Sequence, residues 1–238
     1  MRYHVDARSR QLGGTGLAAT GTDALWLNPA GLATTERLTA AATTEQRFGV
    51  RGLHLTSVGL RTPQGFGLRM AALTAPGYAV NRVGVLYGRK VADRWTVGAA
   101  FDLLYRSVDG YGGDLAVATG AGLQFHWSKS LTLACALFQS LPSDGVPGWI
   151  AVGGSYRPGP NVAMFLDVER AMSKTALRCG VEYLPVSTIT LRAGVRSRTE
   201  EVSLGVAYRL LKRWEVSVGT ASHLRLGTSP VFGLVLRP

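Results

Sequence analysis

Four histidines, two cysteines and fifteen carboxylates are the groups of this chain that could carry acid–base, nucleophilic or metal chemistry. His4, His54, His126 and His223 are scattered, and no Ser, Asp and His recur in a pattern that would pair a nucleophile with its base. Cys135 and Cys179 stand apart, without metal-ligand spacing or a framework of repeated pairs, and read as packing residues. The pair of interest is Asp167 and Glu169. Residues two apart on an extended chain share a face, which is the spacing that paired carboxylates need for acid–base work. Arg178, on the next run, faces the same pair, so the arrangement reads as a structural ion pair. We expect no enzyme, no cofactor and no metal site.

Those charges sit on alternating segments. In residues 95–106 (WTVGAAFDLLYR), Trp95, Val97, Ala99, Phe101, Leu103 and Tyr105 share one face, and Thr96, Gly98, Ala100, Asp102, Leu104 and Arg106 share the other. The pattern recurs in residues 115–128, 162–169, 177–183, 189–196, 202–209 and 232–237. Counting such runs between turn signals predicts about fourteen strands, beginning near Leu38, Leu53, Phe66, Val83, Trp95, Leu115, Leu131, Trp149, Val162, Leu177, Ile189, Val202, Trp214 and Val231. Near residues 50–60 apolar side chains fall on both parities, and a bulge is expected there. Terse links such as 92–94 and 128–130 alternate with longer ones at 107–114, 140–148 and 222–229, which is the habit of a barrel with two differently used ends.

A soluble sandwich also alternates, but its polar face should be rich in Lys, Glu, Thr and Ser. Here that face is Gly and Ala interrupted by single charges, as in a crowded lumen. Aromatics gather toward the ends of the greasy face (Trp95, Tyr105, Phe125, Trp127, Trp149, Tyr156, Tyr183, Tyr208, Trp214), as in the two girdles of a membrane barrel. An open sheet edge cannot sit in lipid, so the expected fold is all-β: a closed antiparallel transmembrane β-barrel of about fourteen strands, twelve at the fewest. The net charge of +11 raises nucleic acid as a partner. The basic residues alternate with glycine on the inward face, opposite carboxylates, and do not form an aromatic-studded stripe, so nucleic acid is set aside. The lumen network is expected to comprise Asp102, Arg106, Asp167, Glu169, Arg178, Glu182, Arg192, Arg196 and Arg209. No apolar run reaches the length of a spanning helix, and residues 1–10 (MRYHVDARSR) lack the apolar core of a secretory leader.

One segment breaks the pattern. Residues 9–31 (SRQLGGTGLAATGTDALWLNPAG) resemble the amino-terminal signature of FadL-type and PorV/PorQ-type outer-membrane proteins. The later runs VGVLYGRKVADRWTVGAAFDLLYRS, NVAMFLDVERAM, TALRCGVEYLP and ITLRAGVRS resemble the PorV/PorQ branch more closely. The resemblance implies a plug over residues 1–35 inside a barrel formed by residues 36–238. The plug motif is Asp23, Trp26, Asn28, Pro29, Ala30 and Gly31: Asp23 caps a short helix, Pro29 and Gly31 end it, and Asn28 bonds the wall. It also implies a place in the bacterial outer membrane among its lipids, with the signal peptide absent from the given chain. Two roles follow from the resemblance. The PorV/PorQ role is binding a translocon or cargo in type IX secretion, with other outer-membrane proteins as partners. The FadL role is passive passage of a hydrophobic small molecule. A barrel that keeps the fold with neither activity is the third reading.

Overall fold

The computed structural model describes residues 6–34, 37–141, 148–172, 174–211 and 213–238. Two short helices, α1 (Ala7–Gln11) and α2 (Ala24–Leu27), and a 3-10 segment, Pro29–Thr34, precede the strands. The wall is β1 (Thr39–Gln46), β2 (His54–Arg61), β3 (Phe66–Ala75), β4 (Tyr78–Ala92), β5 (Trp95–Val108), β6 (Gly112–His126), β7 (Leu131–Leu141), β8 (Trp149–Gly159), β9 (Val162–Ala171), β10 (Lys174–Val186), β11 (Ile189–Arg196), β12 (Glu201–Leu210), β13 (Trp214–His223) and β14 (Gly227–Leu236). Each strand pairs antiparallel with the next, and β1 closes the ring on β14, with Ala42 opposite Leu234 and Glu45 opposite Val231. Closure satisfies both edges, which lets the sheet sit in lipid. We call the end holding Thr39 and Leu236 the terminal end, and the opposite one the far end.

Four strands, β4, β6, β10 and β14, begin three to five residues earlier than their apolar runs predict. All four begin at the far end. There the wall continues through Gly112, Gly113, Lys174 and Gly227, whose side chains give no alternating signal. The mixed parity near residues 50–60 has a different cause from the bulge expected there. Residues Arg47–Gly49 form a 3-10 turn with Phe48 at φ 55°, and β2 then pairs with β1 in unbroken register. Leu55 is an apolar residue pointing inward, onto the plug. The wall's register shifts fall at Lys90/Ala92, Tyr156/Gly159 and Tyr183/Val186, at the terminal end.

Longer strands also remove the expected contrast in loop length. The β5–β6 link shrinks to residues 109–111 and the β13–β14 link to 224–226, while β3 and β4 are joined by Pro76 and Gly77 alone. Residues 142–147 of the remaining long link lie outside the described residues, as do His4 and Lys212.

Along β5, Thr96, Ala100, Asp102 and Leu104 are buried, while Trp95, Val97, Phe101, Leu103 and Tyr105 are exposed. Val85, Leu166 and Leu204 likewise stand outward and roughly half exposed. A continuous apolar belt of this kind belongs against lipid. Two aromatic girdles are expected, and they are unequal: the far end has Tyr105, Tyr111 and Phe232 outward, and the terminal end is far richer. Phe66, Tyr87, Trp95, Phe125, Trp127, Tyr156, Tyr183, Tyr208 and Trp214 all lie on the outer face near the terminal end. Successive strands run in opposite directions, so the end of β6 and the start of β5 reach one rim: Trp95 and Phe125 lie 4.4 Å apart between ring centroids. Of the aromatics expected at the other rim, Tyr105 is there, but Trp149 turns inward and stacks on Phe138 at 6.0 Å.

The belt makes a direct prediction. Replacing Leu204 by Arg should destabilise the inserted barrel by roughly 2–4 kcal/mol if the site lies near mid-bilayer. Folding titrations into lipid vesicles, read by heat-modifiable gel mobility, would show it; a Leu204→Arg barrel as stable as the native one would contradict the outward assignment.

Candidate functional site

The plug starts with a side chain that makes a helix possible in five residues. Asp6 Oδ2 accepts the Ser9 N–H at 3.0 Å and caps α1, while its Oδ1 accepts the Thr22 hydroxyl at 3.1 Å. Gly13 and Gly14 then adopt φ of 69° and 81°, left-handed angles that turn the chain out of α1. Burial, together with neighbouring Asp23, pushes the Asp6 carboxyl up to about 6.

Helix α1 throws two arginines to different sides of the wall. Arg8 donates to both oxygens of Glu182 on β10, at 2.9 and 3.0 Å, and to Asp23 of the plug itself. Burial opposes its charge, but Asp23 and Glu182 outweigh that and hold the guanidinium well above its ordinary value. Arg10 donates from Nε to Glu45 on β1 at 3.0 Å and from Nη1 to Glu201 on β12. Gln11 Oε1 accepts from Arg192 on β11 at 3.1 Å, and Arg192 goes on to Glu182 at 2.9 Å and Glu215 at 3.0 Å. One short helix thus ties β1, β10, β11 and β12 together.

The glycine-rich stretch after α1 is held by its backbone. Asp167 Oδ2 accepts the Gly16 and Leu17 N–H groups at 2.9 and 3.1 Å. Arg178 donates to Glu169 and, at 3.3 Å, to the Gly14 carbonyl. Gln124 donates to the Leu17 and Ala19 carbonyls at 3.2 and 3.1 Å.

The other half of the plug is apolar. Leu25 and Leu32 are fully buried with Trp26 and Leu27 against Leu55, Leu73, Val80, Leu86 and Ala100 of β2 to β5. Each buried leucine contributes about 1.5–3 kcal/mol of transfer free energy. On that side Arg69 and Arg82 both converge on Asp102, Arg69 from Nε at 2.8 Å and Arg82 through two bonds of 2.9 Å. Arg69 also donates to the Leu25 carbonyl.

Asn28 clips the two halves to the wall. Its amide donates to the carbonyls of Leu17, Leu123 and Cys135 at 3.0, 3.2 and 3.4 Å, and its Oδ1 accepts the Ala30 N–H at 3.1 Å. A Cβ on Gly122 would fall on Asn28 Oδ1, and one on Gly98 on the Pro29–Ala30 peptide, so both positions admit only hydrogen. Gly120, on the same inward face, meets wall atoms instead. Asp23 makes no side-chain cap, contrary to expectation, because its carboxylate is turned to Arg8. The helix α2 stops at Leu27, with Asn28 extended just ahead of Pro29, while Gly31 lies within the 3-10 turns of Pro29–Thr34 that follow.

Of the charges expected in the lumen network, Asp102, Asp167, Glu169, Arg178, Glu182 and Arg192 are buried there or nearly so. Arg106 is not among them. It sits high on β5 at the far end and pairs with exposed Asp114 at 2.6 Å. Arg209 is exposed at the terminal mouth, where Glu215 is already taken by Arg192 and by Arg237 at 3.0 Å. Arg196 lines a vestibule at the far end. Missing from the expectation were Arg8, Arg10, Glu45, Arg69, Arg82 and Glu201. The signal was the surplus of inward carboxylates over inward arginines on β9 to β13, which requires cations from elsewhere. His126 contributes a wall contact, its Nδ1 lying 3.2 Å from Thr132 Oγ1.

The far-end vestibule holds about 340 Å³, with Arg10 of the plug in its lining. Phe48, Trp149, Met172 and Leu226 supply its apolar surface, and Arg47, Arg196 and Arg198 its cations. At the terminal end a smaller polar cavity of about 140 Å³ lies beside Asp6, Arg8, Glu182 and Arg237.

No family model and no curated protein matches the sequence. Solved structures do match in fold. The Ralstonia pickettii toluene transporter TbuX superposes with a TM-score of 0.76 at 14% identity, over 98% of both chains. The P. putida toluene transporter TodX gives 0.76 at 13% identity, over 100% of this chain and 99% of that one. A Pseudomonas aeruginosa FadL homologue gives 0.66 at 12% identity, over 97% of each. At these identities the likeness establishes a shared fold.

The pairing makes a quantitative prediction. Removing Arg178 strands a buried Glu169 and should cost about 3–5 kcal/mol, whereas the Arg178→Ala, Glu169→Ala double variant should cost less than the sum of the two single changes. Arg178→Ala with Glu182→Ala should be close to additive, since Glu182 is engaged by Arg8 and Arg192. Urea unfolding of the six proteins, native, three single and two double variants, measures both cycles, and equal coupling in the two would contradict the partition of the network.

Proposed function

We propose that the protein is a bacterial outer-membrane channel for small hydrophobic molecules, passive and non-enzymatic, with residues 6–34 as a plug in its lumen. The observation that carries this reading is the whole-length likeness in fold to two toluene transporters. The vestibule supports it. A dry cavity of about 150 Å³ suffices for benzene, and the space above Arg10 is larger, about 340 Å³, with Trp149 and Phe48 offering ring faces. A molecule entering from the far end would meet apolar contacts first and the buried ion pairs of α1 beneath them. Onward passage then requires the plug to shift.

The PorV/PorQ-like role in type IX secretion rests on the sequence runs alone, and the solved structures that share the fold give it no support. The channel reading is therefore the stronger one.

Gram-negative cells producing the chain should take up radiolabelled toluene faster than cells without it. Trp149→Ala should weaken vestibule binding by about two- to tenfold, the worth of one aromatic contact. Pro29→Ala, at the seat pressed against Gly98 and Gly122, should change the uptake rate at an unchanged level of folded barrel. Uptake at the background rate, with Pro29→Ala instead altering co-purification of a large partner, would favour the secretion role.

A further inference from the structure

The net charge of +11 is not stored in the lumen. There Arg8, Arg10, Arg69, Arg82, Arg178 and Arg192 all pair with acids, and the acids they meet are no fewer than they are. The surplus is on the rims, and unequally. Around the outside of the terminal end, Arg37, Arg89, Lys90, Arg94, Lys129, Arg157 and Arg213 are exposed, and the one acid among the described residues of that rim is Asp93, 3.8 Å from Lys90. At the far rim the signs mix. Asp109, Asp114 and Glu200 stand among Arg51, Arg106, Arg170, Lys174, Arg198 and Arg225, and Arg106 is paired.

The basic rim also coincides with the denser of the two aromatic girdles. Tyr87 is followed two residues on, on the same outer face, by Arg89; Trp95 follows Arg94, and Trp214 follows Arg213. The rings touch along the wall, Phe66 tilted against Tyr87 at 4.9 Å and Phe125 edge-on to Trp127 at 5.8 Å. Indole and phenol rings settle at headgroup depth, and long basic side chains just beyond them reach lipid phosphates while their stems stay in the apolar layer. Arginine suits this because its planar fork binds phosphate oxygens bidentately. A basic cluster at a membrane surface gains from each cation only when the lipid is anionic.

We infer that the terminal rim is a docking surface for the phosphates of anionic phospholipids, and that it gathers them around this end of the barrel in preference to zwitterionic ones. The inference rests on the barrel lying in a bilayer. The partner is phospholipid because the surface is a ring of single cations, most of them on short turns, set around the outside of an apolar belt and beside its aromatic girdle, where anionic headgroups lie. Its consequence is a fixed orientation: the terminal end belongs in whichever leaflet carries free anionic phospholipid.

Three of the five tryptophans, Trp95, Trp127 and Trp214, sit in the girdle and report on their lipid neighbours. The full chain is reconstituted in equimolar phosphatidylglycerol and phosphatidylcholine vesicles, with bromine on the acyl chains of one lipid or the other. Random mixing quenches equally in the two cases. We expect brominated phosphatidylglycerol to quench at least about twofold more, and the excess to vanish in 1 M NaCl, where the screening length falls to about 3 Å. The excess should also vanish in the combined Arg89→Gln, Arg94→Gln, Arg157→Gln, Arg213→Gln protein and persist in Arg51→Gln, Arg170→Gln, Lys174→Gln, Arg225→Gln. Equal quenching by the two lipids in the native chain, an excess indifferent to salt, or an equal loss in the far-rim protein overturns the inference. Should the terminal-rim variant fail to fold, the salt series on the native chain decides. Quenching by neither lipid would instead sink the membrane reading on which it rests.

Discussion

Seven carboxylates on the inner wall face a space too narrow to leave them in bulk water, and arginines of both the wall and the plug answer them. Arg10 pairs with Glu45, beside Arg47 at 3.6 Å, and with Glu201, while Arg8 joins Arg192 on Glu182 and also reaches Asp23. Arg8 and Arg10 come from one five-residue helix, more than thirty positions in sequence from the nearest of the wall acids they meet and up to 191 from the farthest. Ion pairs of this kind gain little net stability over an apolar filling, yet breaking one strands a buried charge at a cost of about 3–5 kcal/mol. The interlock therefore acts chiefly on specificity. It fixes where α1 sits and which way it faces, and the remainder of the plug follows from that placement.

Adhesion comes from the other side. Leu25, Trp26, Leu27 and Leu32 bury against β2 to β5, where the wall presents Leu55, Leu73 and Leu86 inward. The lumen is thus unevenly lined, charged along β9 to β13 and mainly apolar along β2 to β5 apart from the Arg69–Asp102–Arg82 cluster, and the plug matches each part with its own face. Asn28 joins the halves at the point where Gly98 and Gly122 let its backbone come closest. A plug held by polar contacts on one flank and apolar ones on the other can yield on one flank without leaving the barrel. That property suits a channel whose cargo is apolar.

Much of this was legible in the sequence because a strand's period of two is hard to disguise. Residues 95–106 display it, and the assignment of Asp102 to the lumen and Phe101 to lipid follows from parity alone. What parity cannot show is height. Arg106 shares the inward face with Asp102 but stands four residues higher, at the exposed rim, and its partner is Asp114 across the hairpin. Height also governs the aromatics, since strands of opposite direction bring Trp95 and Phe125 to one rim. The plug arginines escaped for another reason. Two cations near a chain's start, in a segment as polar as ARSRQ, have the composition of a solvated end, and only the surplus of inward acids hints that they are buried. Asp23 illustrates the same limit: its position is that of a helix cap, but a guanidinium within reach takes its carboxylate from the backbone.

The claim at the centre of the account is that residues 6–34 close the lumen and are held there by the wall. Single-channel recording in planar bilayers tests it most directly, comparing the intact chain with one lacking residues 1–33. Water entering the emptied lumen would solvate the freed carboxylates, so the truncated barrel should still fold, keep its heat-modifiable mobility and conduct ions in steps well above those of the intact protein. A folded truncated barrel that conducts no better than the intact chain would contradict the claim.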